Sequence, residues 1–407
     1  MLGAGLTGVT TALALARAGV NVSLVDQDAR AMNRASLRNE GKIHLGLVFA
    51  NDRSLATARL MIDGALRFRQ LLGRAAGERA MRVAVSTPFV YLVANDSVLS
   101  PDVIECHYAA VESIYREQTK QHPDLDYLGR RPERLFQAMP HRSLRTHFNP
   151  EHIAAAFQTA ELAIDTSELA DVLRDAIAAH PRIRLLFGRR VTSVERLAGR
   201  FRVEGDGPGG RWNVECGQVV NALWENRFKI DKTVGLDHPP GWLHRLKYRV
   251  IARVPERLQH APSATMVLGP YGDVVIRPDR TAFFSWYPLG LRGWTEDLAP
   301  PEDWNRPCRG ELTGDEARSV AAALLGAIDR WYPGAADSTP LQVDAGAIVA
   351  YGRTDVNDPG SGLHDRTRVG VTSCEGYHSV DPGKLTTAPL FGELAATSVL
   401  HMERAAA

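Results

Sequence analysis

The residues whose types and spacing could do chemistry begin at the front of the chain. Gly3, Gly5 and Gly8 spell G-x-G-x-x-G, and the Ala/Leu-rich run 9–18 that follows has a helical period and stops at Gly19. Residues 20–25 then alternate with period two, are β-branched, and end at Asp26. Glycine turn, helix, strand and terminal acid together are the layout of a dinucleotide-binding unit. Gly3 permits the tight turn, Gly5 lets backbone approach a pyrophosphate, and Gly8 lets helix and strand pack closely. The helix start at Leu6 and Thr7 offers free N–H groups and a positive dipole to phosphates. Asp26 can accept hydrogen bonds from both hydroxyls of an adenosine ribose, and it would repel a 2′-phosphate. The plain alternative is an ordinary glycine-rich turn.

Only Met1 and Leu2 precede Gly3, so the strand that normally feeds such a turn is missing. That strand is central and buried on both faces, and each buried Val or Ile lost from it would forfeit roughly 1.5–3 kcal/mol. The expectation is therefore a natural start several residues upstream.

Bulk composition narrows the class. The chain has 407 residues, 44% hydrophobic and 23% charged, which suits a globular protein of about two structural units. A net charge of +1 gives no electrostatic case for nucleic acid or an anionic membrane surface. There is no apolar run of about 18 residues and no basic-then-apolar leader. Cys106, Cys216, Cys308 and Cys374 lie far apart without a C-x-x-C pair. This argues against a metal site or a redox pair and fits a reducing cytoplasm. The partner expected is a small molecule; oligomeric state leaves no trace in the sequence.

The glycine motif alone does not choose between flavin and nicotinamide, but the next segment does. Asn39-x-Gly41-x-Ile43-His44-x-Gly46 resembles the flavin-facing loop of FAD-dependent oxidoreductases of the D-amino-acid oxidase superfamily, and most closely the branch with L-2-hydroxyglutarate oxidases. The resemblance implies FAD as cofactor, with Asn39, Gly41, Lys42, Ile43 and His44 beside it. Two further stretches agree. Residues 158–169 look like the family's entry to a helix, with Asp165 and Glu168 as a capping box. Residues 218–222 resemble its strand end beside FAD, which makes Ala222 a cofactor neighbour, although Leu223-Trp224 replace the family's Ala-Gly. Val191 and Gly376 fall on the same side of the comparison. At the C-terminus, Gly383-Lys384-Leu385-Thr386-Thr387 before a helix of about 388–404 also resembles the flavin-binding end of FAD glycerol-3-phosphate dehydrogenases. The alternatives are an NAD-dependent dehydrogenase and a non-catalytic dinucleotide-binding subunit.

Within that resemblance the implied reaction moves hydride from a C–H bearing an amine or hydroxyl to flavin N5. The expected substrate is an amino acid, an amine or a 2-hydroxy acid, and one with a carboxylate. His44 is the first catalytic candidate, as base or orienting group. Its alternatives are a backbone-bonded histidine under the flavin, or covalent flavin attachment. Arg353 lies roughly where amino-acid oxidases hold a substrate carboxylate; its alternative is an ion pair with Asp355 or Asp358. Tyr351 and Tyr377 could close the pocket. Lys384 could face the pyrimidine end of the flavin. Trp224, Trp286 and Tyr287 read as packing, and His-Asp-Arg at 364–366 as a solvated turn.

The elements that must position these residues read as α/β, or α+β overall. The sequence predicts a Rossmann-like FAD-binding domain with an inserted antiparallel-sheet substrate domain. Residues 1–90, 151–230 and 340–407 are assigned to a discontinuous FAD-binding domain, and 91–150 and 231–339 to the substrate domain. Helices are expected at about 54–72 and from a second capping box at Thr313 and Glu316 to about residue 332. Period-two runs at 248–254, 273–277 and 281–287 suggest the sheet.

Overall fold

The computed structural model describes residues 1–269, 272–354, 358 and 360–406. In chain order, short turns aside, its elements are α1 (Leu6–Arg17), β1 (Val22–Val25), β2 (Lys42–Ile43), α2 (Ala56–Ala76), β3 (Phe89–Ala94), α3 (Pro101–Gln121), β4 (Phe136–Ala138), β5 (Ile153–Thr159), β6 (Leu162–Ala163), α4 (Thr166–Ala179) and β7 (Ile183–Leu186). The meander β8 (Arg190–Leu197), β9 (Arg200–Gly207) and β10 (Gly210–Cys216) leads to β11 (Val219–Asn221), β12 (Trp242–Arg253), β13 (Ser263–Val267), β14 (Gly272–Ile276), β15 (Thr281–Trp286) and β16 (Leu291–Thr295). Then come α5 (Gly314–Asp329), β17 (Thr339–Tyr351), β18 (Gly370–Cys374), β19 (Tyr377–Asp381) and α6 (Ala388–Ala406).

The slot of the absent strand is filled by the first three residues. Leu2 bridges in parallel to both Val25 and Asn221. Its N–H donates to Val220 O at 2.8 Å, and Ala222 N–H donates to its carbonyl at 2.9 Å. Gly3 N–H and Val25 N–H complete the ladder on the β1 side. The result is a sheet running β18-β19-β11-Leu2-β1-β7, parallel except for β18. The α-amino group of Met1 is buried there, and burial lowers its pKa. Helix α1, buried along most of its length, packs against α6, where Thr11 Oγ1 donates to Gly392 O at 3.1 Å.

Local signals explain most of the helix starts. Asp165 caps α4 by accepting from Ser167 and Glu168 N–H. Glu168 does not close a reciprocal box; its carboxylate accepts from Ala84 N–H at 2.8 Å. The second expected box is absent, since Thr313 is the N-cap of α5 but its side chain accepts nothing. Gly314 beside it has φ +69°, which turns the chain into the helix by backbone freedom alone.

The second unit is a nine-stranded, mostly antiparallel sheet in the order β16-β12-β15-β14-β13-β3-β5-β4, with β17 on the other edge of β12. Its core holds Phe284, Val250, Leu324 and Tyr332, with α5 on one face. It takes in β5 and β17, segments that the sequence reading assigns to the FAD unit, and the expected boundaries at 90/91 and 339/340 fall inside β3 and β17. The reason is pairing: β5 lies against β3, and β17 runs along the whole length of β12. Among the described residues no helix is long and apolar enough to cross a membrane.

Candidate active site

The glycine turn, the 33–44 loop, β12, β17 and the 382–388 segment enclose a cavity of about 210 Å³. Gly3, Gly5, Leu6, Thr7 and Asp26 line one part of it. The start of α1 carries no side-chain cap, and its first donor, Leu6 N–H, reaches Ser36 Oγ at 2.9 Å. A Cβ on Gly5 would stand 2.9 Å from that same hydroxyl, so a larger residue there would have to displace the Ser36 side chain that holds Leu6 N–H. Asp26 Oδ2 accepts from Ala4 N–H at 2.7 Å and Oδ1 from Asp28 N–H at 2.9 Å. Burial nevertheless pushes its carboxyl up to about 6, the backbone donors opposing the rise. An uncapped helix start and a glycine cradle offer the donors that a dinucleotide diphosphate requires, and Asp26 at the end of β1 offers an acceptor suited to ribose hydroxyls.

The loop that carries His44 is tied down by its neighbours. Asn39 Oδ1 accepts from Gly41 N–H at 2.7 Å, and its amide donates to Ala35 O at 2.8 Å. Strand β2 pairs with β6, Ile43 opposite Leu162, so the two motifs at 39–46 and 158–169 meet. Arg249 on β12 donates to Leu37 O and Asn39 O, both at 3.1 Å, and pairs with Asp344 on β17. The loop is thus clamped to the large sheet.

Around His44 the cavity turns ionic. His44 is 4% exposed, with Nδ1 3.6 Å from Glu161 Oε2 and Nε2 3.8 Å from Glu40 Oε1. Its own N–H donates to Thr386 Oγ1 at 2.9 Å. Burial alone would raise Glu40, but His44, Lys384 and Lys247 outweigh it and hold the carboxyl well below the usual range. Lys384 is lowered to about 8 by burial, with Arg366 adding to the effect. Lys247 Nζ lies 4.2 Å from the Tyr287 ring centroid and 3.9 Å from Asp273 Oδ2. Lys42 belongs to the sheet: its ammonium pairs with Asp273 at 2.7 Å and stacks over Phe89 at 4.2 Å.

A family model described as FAD dependent oxidoreductase matches residues 2–397. The chain belongs to this family. As an FAD-dependent oxidoreductase of the D-amino-acid oxidase superfamily it is an enzyme with FAD as cofactor, which removes the nicotinamide and non-catalytic alternatives. Solved structures carry the same fold. Glycine oxidase from Geobacillus kaustophilus aligns with TM-score 0.68 at 14% identity, over 98% of this chain and 93% of that one. Iminodiacetate oxidase from Chelativorans sp. BNC1 aligns with TM-score 0.63 at 16% identity, over 98% and 94%. L-α-glycerophosphate oxidase from Mycoplasma pneumoniae, solved with FAD bound, aligns with TM-score 0.63 at 15% identity, over 98% and 93%. A search of curated proteins finds no match.

In this oxidoreductase the cavity gathers Gly3, Gly5, Leu6, Thr7, Asp26, Asn39, Lys42, His44, Ala222, Gly383, Lys384 and Leu385. Gly8, Gly41, Ile43 and Thr386 stand behind the lining. A Cβ on Gly41 would come 2.2 Å from Ile164 O, and a Cβ on Gly8 1.9 Å from Gly3 O. Four expected residues lie elsewhere. Val191 and Tyr377 are buried in a separate core under the β8–β10 meander, and Gly376 turns the chain between β18 and β19. The Tyr377 hydroxyl donates to Asp231 at 2.7 Å and accepts from Asn221 at 2.9 Å, which leaves it no role in the cavity. Arg353 is 62% exposed at the surface, 3.8 Å from Glu296. Of its two expected alternative partners, Asp355 and Asp358, the first lies outside the described residues.

Four residues of the cavity region went unread. Arg366, taken for part of a solvated turn, is 9% exposed and lines the cavity. Glu40 and Glu161 sat inside resembling segments but drew no role. Lys247 is one inward position of an alternating strand, and nothing local distinguishes it from a surface lysine. Trp224 and Tyr287, read as packing, both line the cavity. Trp224 stands where the family has glycine and adopts the corresponding left-handed φ of +52°; its indole N–H donates to Ala347 O at 2.8 Å.

Proposed function

We propose that this enzyme oxidises the carbon bearing an amine or hydroxyl in a small carboxylate-containing molecule: an amino acid, an amine of that type, or a 2-hydroxy acid. Bound FAD supplies the hydride acceptor. The protein's own part is to hold the substrate, exclude water and take a proton. One observation carries the reading. Lys247, Arg366 and Lys384 line the same chamber as His44, with the Glu40 carboxylate in the same lining. Such a cluster attracts an anionic group and sets the rest of the molecule beside a histidine. Arg366 replaces Arg353 as the arginine of this reading.

The names of two fold neighbours, glycine oxidase and iminodiacetate oxidase, suit the same substrate class. The free state of all four cysteines supports a cytoplasmic setting. The deciding experiment is an anaerobic screen of amino acids, amines and 2-hydroxy acids, read as loss of flavin colour. Bleaching by a carboxylate-bearing member supports the reading. A panel without any bleaching by such members, or one answered by uncharged amines or alcohols alone, overturns it.

A further inference from the structure

His44 stands between two carboxylates that differ in kind. Glu161 is fully buried just ahead of β6, and its two oxygens are fixed by separate donors. Oε1 accepts from Leu45 N–H at 2.7 Å, and Oε2 accepts from the Tyr91 hydroxyl. Burial opposes its charge, but His44, Lys42 and Tyr91 outweigh that and keep it below the usual range. Glu40 instead lines the cavity and faces Lys384 and Lys247. The groups around the imidazole are therefore Glu40 on its own loop, Tyr91 from β3, Glu161, Thr386 and Lys384 from the C-terminal segment, and Lys247 from β12. Among the described residues neither ring nitrogen has a hydrogen-bond partner. The backbone of His44 is held by Thr386, and Phe49 packs edge-on against the ring at 5.6 Å.

We propose that Glu161 is a positioning residue for His44: it keeps the imidazole proton on Nδ1, so that Nε2, 3.8 Å from the cavity-lining Glu40, is the bare proton acceptor. A neutral imidazole has one donor and one acceptor nitrogen, and the partner of the first decides which is the second. A sealed, ionised carboxylate 3.6 Å from Nδ1 makes that choice. The inference rests on the function proposed above. There bound FAD would supply the acceptor for the hydride that leaves the substrate carbon, the substrate O–H or N–H proton goes to His44 Nε2, and the electron pair that proton leaves behind closes a C=O or C=N bond. The imidazolium then lies between Glu161 and Glu40, and Glu40 provides the exit for the proton toward the cavity.

The test uses holoenzyme with ¹⁵N-labelled histidine. His44→Asn identifies the His44 signals by their loss. The expected wild-type spectrum, once the ring is neutral, shows Nδ1 protonated and Nε2 bare; Glu161→Gln shifts the population toward the other tautomer. Glu161→Gln also slows anaerobic flavin reduction roughly 100-fold, the lower end of what a positioned base contributes. Its flavin spectrum and substrate Kd stay within about twofold of wild type, and pairing it with His44→Asn adds no further loss. A wild-type ring protonated at Nε2, an unchanged tautomer in Glu161→Gln, or additive losses in the double variant would overturn the proposal. The wild-type tautomer decides even if Glu161→Gln does not hold FAD. It is also read without substrate, so failure of the substrate class would be seen separately in the bleaching screen.

Discussion

Asp26 and Lys384 are both moved toward neutrality by burial, one carboxyl up to about 6 and one ammonium down to about 8. Their pH dependences follow by sign. On the proposal that Asp26 accepts ribose hydroxyls as a carboxylate, FAD affinity should hold above about pH 6 and weaken below it, by up to about tenfold per unit. Fluorescence titrations of apoprotein with FAD at pH 5 and 7.5 check this; equal Kd values would remove Asp26 from the cofactor site. Lys384 is cationic below about 8, so affinity for an anionic substrate holds there and falls as pH rises further. Lys384→Met should flatten that profile, read by flavin spectral perturbation between pH 7 and 9.5. The two arginines separate in the same assay. Arg366→Gln should raise apparent KM for an acidic substrate by about 30-fold or more, the loss of a buried charged contact of about 2 kcal/mol at least. Arg353→Gln, at an exposed position, should leave KM within about twofold. The motif behind Arg353 was short: "AYGRTD" fixes a place along the chain, whereas Arg366 is tied to a distant segment, its backbone N–H donating to the Thr57 hydroxyl at 3.1 Å from more than three hundred residues away.

At the scale of elements, what was legible had a local cause. The turn into α1, strand β1, and the Asp165 cap of α4 are each specified within a few residues. The α5 start carried the same type of signal, yet its cap is not made. The difference is measurable. Asp165→Ala should cost about 1 kcal/mol in equilibrium unfolding, the usual worth of an N-cap, and Thr313→Ala close to nothing. Similar losses for both would mean that the α5 cap forms in solution. Elements whose identity depends on a distant partner were misplaced: β5 and β17 read as neighbours of the FAD unit in sequence, but their hydrogen bonds go to β3 and β12.

For the whole molecule, the join between the two units is a shared apolar core with a buried ionic group set into it. Arg38 and Arg249 share Asp344, and Arg249 also holds the carbonyls of Leu37 and Asn39. Removing one partner of such a group costs about 3–5 kcal/mol because a charge is left stranded. Asp344→Asn should therefore release FAD at temperatures where the large sheet still holds, seen as flavin fluorescence rising before far-UV ellipticity is lost. Coincident transitions would place the clamp outside cofactor retention. FAD at about 100 times its Kd should in turn stabilise the fold by about 2.7 kcal/mol.

The parallel pairing of β11 with β19 has a consequence for synthesis. Tyr377 lies opposite Val219, so β11, the strand beside the glycine turn, lacks its outer neighbour until the chain has been made past residue 377. Helix α1 waits likewise for α6. The amino-terminal half emerges first yet sets last, and nascent chains halted before residue 377 should remain open to protease at the very turn that later grips the cofactor.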